Sequence, residues 1–221
     1  MKVALLGPSG TYTHQAAEKY FDNLETQFCS TITDVFESEA ETKFVPIENS
    51  LGGGVTDSID LLEEREEKIT GEVIIAIQHA LISEDEKIED IEKVKSHPQA
   101  LTQCKEITNE HGWDTEETNS TAEAVKGLGS GEAALASEIA AELNEKNILK
   151  KSVQDRDVNV TRFLVLNGEP EAEEKTSLIL KPGEDRPGLL HSMLSCFAGH
   201  EINLSHIQSR PTKEKLGEYF F

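Results

Sequence analysis

The sequence holds only three cysteines in 221 residues, Cys29, Cys104 and Cys196. They are too few and too scattered for a disulfide framework, and they fit free thiols in a reducing cytoplasm. No Cys/His spacing of metal-site type occurs, so no metal is expected. Long apolar runs are missing too, so no segment is expected to span a bilayer. The opening "MKVALLGPSG" does not read as a signal peptide, because glycine and proline cut its apolar run after about four residues. Positive charge is scarce: 21 Lys and Arg stand against 42 Asp and Glu, a formal net charge of −21. Such a surface repels nucleic acid and anionic membranes, and neither is expected as a partner. A salt-adapted surface could also be this acidic, but the many lysines argue against that origin.

The length suits one or two domains and a substantial core. Residues 2–6 form a short apolar run ending in "GPSG", a buried strand and a sharp loop. "THQAAEKY" reads as a helix capped by Thr11 or Thr13. "TKFVPIENS" is a second strand and loop, and residues 57–67 are a helix with Ile59, Leu61 and Leu62 inward. Residues 72–82 read as one long apolar strand. "KVKSH" and "PQALTQCKEITNEHG" give strand, loop and helix, with Pro98 at the helix start. "TAEAVKGLGSG" is a helix ending in glycines. "EAALAS" is a strand and "EIAAELNEKN" a helix. The alternation predicts α/β layers with largely parallel sheets. At "NGEPEAEEK" the composition turns polar and acidic, as in a linker. The tail then reads strand, loop, helix, strand, with Pro187 at the helix start and an apolar face of Leu189, Leu190, Met193, Leu194 and Phe197. The chain stops at "EYFF", in what reads as the middle of a strand.

Four polar clusters fall at strand ends. The glycine loop of "GPSGTYTHQAA" could bring backbone N–H groups and a helix N-terminus to an anion, or be only a tight turn before a capped helix at Thr11. In "VPIENSLGGGVTDSIDLL", Asn49 and Ser50 precede three glycines whose bare N–H groups could cradle a carboxylate or phosphate. Asn119, Ser120 and Thr121 open another helix, where plain N-capping is the competing reading. Thr161 and Arg162 stand at the mouth of an apolar strand, where Arg162 could meet an anion or form an internal ion pair with Asp155 or Asp157. His97 and Gln99 lie at one more strand end. "GLGSG" follows a helix and precedes a strand, the wrong order for a dinucleotide loop. The clusters hold no nucleophile–base pair, so the residues alone suit a small organic anion, such as a dicarboxylate, bound by a receptor or an enzyme.

"GPSGTYTHQAA", "VPIENSLGGGVTDSIDLL", "SHPQAL", "NSTAEAV" and "DRDVNVTRFLVL", in this order, resemble prephenate dehydratases over nearly all of residues 1–168. The tail, with Gly188-Leu189-Leu190 and "INLSHIQSRP", resembles an ACT domain, though Gln208 stands where family members often have glutamate. The resemblance implies an α/β, two-lobed catalytic domain similar to periplasmic binding proteins at residues 1–168. Lobe one would take 1–75 and 155–168, and lobe two 76–154. A linker at 169–175 and a partial α+β, ferredoxin-like ACT domain at 176–221 would follow. Either the chain is truncated there or another subunit completes the fold. The implied reaction takes prephenate to phenylpyruvate with no cofactor, in a cytoplasmic, monofunctional homodimer or homotetramer. Thr161 would be the donor to the leaving hydroxyl, Arg162 a carboxylate partner, and Phe163 packing beneath. Thr11, Asn49, Ser50, Gly53, His97, Asn119, Ser120 and Thr121 would complete the substrate site. L-phenylalanine would bind as effector at Gly188, Leu189, Leu190, Asn203, Leu204, Ser209 and Arg210. Arogenate as the substrate, or a non-catalytic sensor of small anions, are the alternatives.

Overall fold

The computed structural model describes residues 1–156, 158–170, 175–183, 185–213 and 215–221. Asp157 and most of the expected linker, residues 171–174, lie outside the described residues. The chain forms two units, Met1–Ala172 and Glu173–Phe221.

The first unit contains two sheets. The first sheet begins with β1 (Lys2–Leu6), α1 (Tyr12–Tyr20), β2 (Glu25–Cys29), α2 (Ile32–Glu37) and β3 (Thr42–Asn49). It continues through the short β4 (Gly53–Gly54), α3 (Thr56–Glu64) and β5 (Ile69–Ala76). The second sheet takes β6 (Ala80–Ser83), β7 (Lys93–Ser96), α4 (Pro98–Gln103), α5 (Lys105–His111) and β8 (Asp114–Glu117). It ends with α6 (Thr121–Val125), β9 (Glu132–Ala136), α7 (Glu138–Leu143) and β10 (Asn147–Lys150). The chain then returns to the first sheet as β11 (Val160–Leu166). Strand orders are β2-β1-β3-β11-β5 and β10-β6-β9-β7-β8.

Local chemistry explains the helix starts. Thr31 and Asp34 form a capping box on α2. Thr11 caps α1, and Pro98 opens α4, where a missing N–H costs nothing. The strands of the first sheet pack on both faces. Val3, Leu5, Phe44, Phe163 and Val165 meet Ala16 and Ala17 of α1 on one side. Ala4, Val45, Leu164 and Leu166 meet Val35, Phe36 and Leu61 on the other. Each fully buried side chain of this kind contributes roughly 1.5–3 kcal/mol. The second sheet is covered in the same way.

Two expectations are corrected here. The apolar stretch 72–82 is not one strand. It is cut after Ala76, and β5 and β6 belong to different sheets. Gln78 and His79 mark the break, and β6 is buried at every residue while Ile74 of β5 stays exposed. The sheets are also mixed rather than largely parallel. β11 runs antiparallel to β3 and β5, and β6 antiparallel to β9 and β10. β3, β5 and β9 end where the two sheets face each other. A strand that enters a sheet from that side, as β6 and β11 do, must run the opposite way.

In the second unit, α8 (Leu189–Gly199) carries the expected apolar face half-buried. The flanking strands shrink to the two-residue pair β12 (Arg210–Pro211) and β13 (Tyr219–Phe220). The expected strand "TSLILK" gains a ladder partner only at Leu180, which exchanges both backbone bonds with Phe221 at 2.7 and 3.0 Å. The helix starts two residues after Pro187, on a left-handed Gly188. Among the described residues, no helix is long and apolar enough to cross a membrane.

Candidate active site

Two crossovers, residues 77–79 and 151–159, connect the sheets and bond to each other. Ile77 N donates to Asn159 O at 2.7 Å, and Val153 N to His79 O at 2.9 Å. From the first-sheet side, the loop at Gly10 reaches across, its carbonyl accepting from Ser137 Oγ at 2.6 Å. Only glycine fits there. Its φ is +89°, and a Cβ would lie 3.3 Å from Ala140 Cα and 3.5 Å from Ala122 Cβ. Thr11 and the start of α6 are thereby brought to one cleft.

Asn49, the last residue of β3, organises the floor. Its Oδ1 accepts from the backbone N–H groups of Leu51 and Gly52 at 3.0 and 2.8 Å. Those two donors fix which end of the amide is oxygen. Nδ2 therefore donates, to Asn159 Oδ1 at 2.8 Å and Thr161 Oγ1 at 2.9 Å, with Val160 O at 3.2 Å. Asn159 Oδ1 is then an acceptor, so its Nδ2 donates to Gln103 Oε1 at 2.9 Å. Thr161 is 8 % exposed and Asn159 3 %. Thr161 Oγ1 thus has a lone pair occupied by Asn49. Its own proton has no acceptor among the described residues. The geometry presents a preorganised hydroxyl donor at the cleft floor.

The remaining expected residues divide. Ser50 ties the loop to β11, donating its backbone N–H to Val160 O at 2.9 Å and accepting from Val160 N at 3.0 Å through Oγ. Thr11 and Ser120 accept from His14 N and Glu123 N as helix caps. His97 caps α4, its Nδ1 accepting from Gln99 N at 3.2 Å. Gly53 sits opposite Asn49 in the short hairpin, at φ +77°. Asn119 and Thr121 make no side-chain hydrogen bond among the described residues, which leaves their donors open. Phe163 is core: it stacks on Phe44 with centroids 5.1 Å apart, 2 % exposed.

Arg162 requires a correction. Side chains alternate along β11, so Arg162 shares the face of Leu164 and Leu166, opposite Thr161 and Phe163. It lies between Glu48 at 3.7 Å and Glu72 at 3.5 Å. Its ion-pair partners among the described residues are these two glutamates and not Asp155; Asp157, the other expected partner, is not among the described residues. Asp155 instead accepts from Lys105 N and Glu106 N, both at 3.0 Å, capping α5.

Four residues join the site without having been singled out: Tyr12 and Asn159, inside the matched motifs, and His79 and Gln103, outside them. Asn159 was findable, since it precedes Thr161 by two and shares its face. Gln103 could not be placed without knowing that α4 meets the return crossover. Cys104 beside it is no nucleophile: burial, then Asp155, pushes its thiol up to about 12. In the second unit, Gly188 caps α8 while Asn203, Leu204 and Ser209 are exposed. A concavity of about 490 Å³ there is lined by Leu189, but by none of the other expected effector residues.

Residues 3–171 match the family model for prephenate dehydratase, and residues 183–221 that for the ACT domain. A bifunctional chorismate mutase/prephenate dehydratase of Aquifex aeolicus is 41 % identical over the whole chain, which spans 64 % of that relative's length. A prephenate dehydratase of Methanocaldococcus jannaschii is 37 % identical over 97 % of the chain and 84 % of its own length. The crystal structure of the Staphylococcus aureus prephenate dehydratase superposes with a TM-score of 0.87 at 33 % identity, covering all of this chain and 87 % of that one. That of the Arthrobacter aurescens prephenate dehydratase in complex with L-Phe gives 0.85 at 31 %, covering all of this chain and 78 % of that one. With a hydroxyl donor built by the family's own motifs and similarity along its whole length, the chain belongs to the prephenate dehydratase family.

Proposed function

We propose that the chain converts prephenate to phenylpyruvate. The ring carboxylate leaves as carbon dioxide, and its bonding electrons become a ring double bond. The ring C–O bond breaks, and the departing hydroxide takes up a proton to become water. Aromatisation drives the step, so the protein must hold the substrate and ease the hydroxide out. Thr161 donates to the leaving oxygen. A threonine is a weak acid in water, so it acts through position and a dry, preorganised site. The observation that carries this reading is the Thr161 oxygen held by the Asn49 amide with its proton unengaged. Arg162 faces elsewhere, so neutral donors take its expected role toward substrate carboxylates. We assign Gln103, Asn119 and Thr121 to it. The catalytic domain occupies residues 1–168 in two lobes. L-phenylalanine acts as effector through the ACT unit, which also pairs subunits.

The test incubates the full chain with prephenate at neutral pH and follows phenylpyruvate. Thr161→Ala is expected to lower kcat on the order of a hundredfold or more. Unchanged kcat in that variant would sink the mechanism, and turnover of arogenate alone would sink the substrate. Added L-phenylalanine is expected to slow the reaction; indifference removes the effector.

A further inference from the structure

His79 lies in the first crossover, 3 % exposed, with both ring nitrogens engaged. Nδ1 is 2.6 Å from the Tyr12 hydroxyl and Nε2 is 2.9 Å from Gln103 Oε1. Its backbone is pinned to the second crossover, His79 N donating to Gln154 Oε1 at 3.0 Å. The direction of each bond follows from Asn49. Because Leu51 and Gly52 fix the Asn49 oxygen, Asn159 must donate to Gln103 Oε1, and that oxygen is an acceptor. A bare Nε2 would set two acceptors face to face. Turning the Gln103 amide would set two donors together at Asn159, and correcting that would propagate to the backbone N–H groups of Leu51 and Gly52. Nε2 therefore carries a proton and Nδ1 is bare; the Tyr12 O–H has two acceptors in reach, Nδ1 at 2.6 Å and Gln78 O at 3.1 Å, and the bare nitrogen is the nearer. Burial lowers the pKa of the ring, against a smaller upward pull from its bond to Gln103, which keeps it neutral at pH 7.

We propose that His79 is a positioning residue for Thr161: its Nε2–H closes a hydrogen-bond chain through Gln103, Asn159 and Asn49 that leaves the Thr161 proton to the substrate. The proposal rests on the dehydratase reading above. It gives the chain a second consequence. Gln103 ends α4 of the second sheet, while Asn49, Asn159 and Thr161 belong to the first sheet and its crossover. Gln103 therefore ties Asn159, which shares the Asn49 amide with Thr161, to the second half of the cleft.

Histidine-selective ¹⁵N labelling of the full chain, with His79→Gln identifying the ring signals, reports which nitrogen is protonated. Nε2 protonated and Nδ1 bare at pH 7 is the expected result; a proton on Nδ1 overturns the proposal. In turnover of prephenate, His79→Leu should lower kcat by about tenfold or more with KM within about twofold. His79→Gln, whose amide N–H can replace Nε2–H, should restore kcat to within about threefold. Equal losses in both variants, or no loss in either, overturn it. If His79→Leu does not fold, His79→Asn takes its place, because its amide sits nearer Nδ1 and cannot serve Gln103. A wild-type chain inactive on prephenate defeats the dehydratase reading instead, and the ring tautomer still decides the direction of the chain.

Discussion

At Asn49, two backbone N–H groups decide the chemistry of a hydroxyl one strand away. The side chain is an amide because both ends are needed: oxygen for Leu51 and Gly52, nitrogen for Asn159 and Thr161. Asn49→Asp keeps the shape and the first pair of bonds but puts an acceptor where Nδ2 stood. Thr161 would then donate to the new carboxylate and lose its free proton. We expect kcat to fall on the order of a hundredfold with the fold intact. Steady-state kinetics with a thermal melt checks this, and a kcat within a few-fold of wild type would show that Thr161 is not held by Asn49. Arg162 teaches the converse. Its charge suggested an anion, but one step along a strand reverses the face, and two glutamates already claim it.

At the scale of elements, legibility follows burial. The central strands β1, β3, β9 and β11 stand out as apolar runs. Of the strands absent from the sequence reading, β2, β8 and β10 lie at sheet edges and β4 is a two-residue stub, while β5, also an edge, is legible from its apolar residues. β8, "DTEE", is exposed at every residue and carries no apolar signal at all. The packing of α1 on the first sheet leaves one tight point. A Cβ on Gly71 of β5 would lie 2.3 Å from the Tyr20 hydroxyl. Tyr20 is itself wedged against Phe21 and Phe44. Gly71→Ala should destabilise the chain by about 1–3 kcal/mol, as overpacking does. A lowered denaturant midpoint checks it; an unchanged midpoint would mean that Tyr20 moves aside freely.

Across the whole molecule, buried titrating groups set a window of pH stability. Burial holds the pKa of His79 below its ordinary 6.5, and does the same for His14 against the pull of Glu18. As pH falls below 6.5, the unfolded chain takes up protons that the folded one refuses. Stability is therefore lost from 6.5 downward until the folded pKa is passed. On the alkaline side the Cys104 thiol is pushed from 9.0 up to about 12, so the folded chain keeps a proton that the unfolded one releases. Stability falls again as pH rises from 9.0 toward 12. Melting temperatures followed across pH should peak between those limits. A melting temperature that keeps rising below 6.5 would contradict the assignment of His79 as a buried neutral ring.

The order of residues alone carries the family, because five motifs in one succession need no knowledge of contacts. It also determined Thr161 and Asn49, which lie inside those motifs, and the α/β layering, which follows from alternating apolar runs and capped helices. Tertiary structure decided what depends on neighbours. It turned β6 and β11 against their sheets, because the chain enters each from the cleft side. It turned Arg162 to the face of β11 opposite Thr161 and set it between Glu48 and Glu72. It brought Tyr12, His79 and Gln103 to Asn159 from segments that pairing between the two crossovers holds together. Hydrogen-bond direction is a property of that assembled chain, and no stretch of sequence contains it.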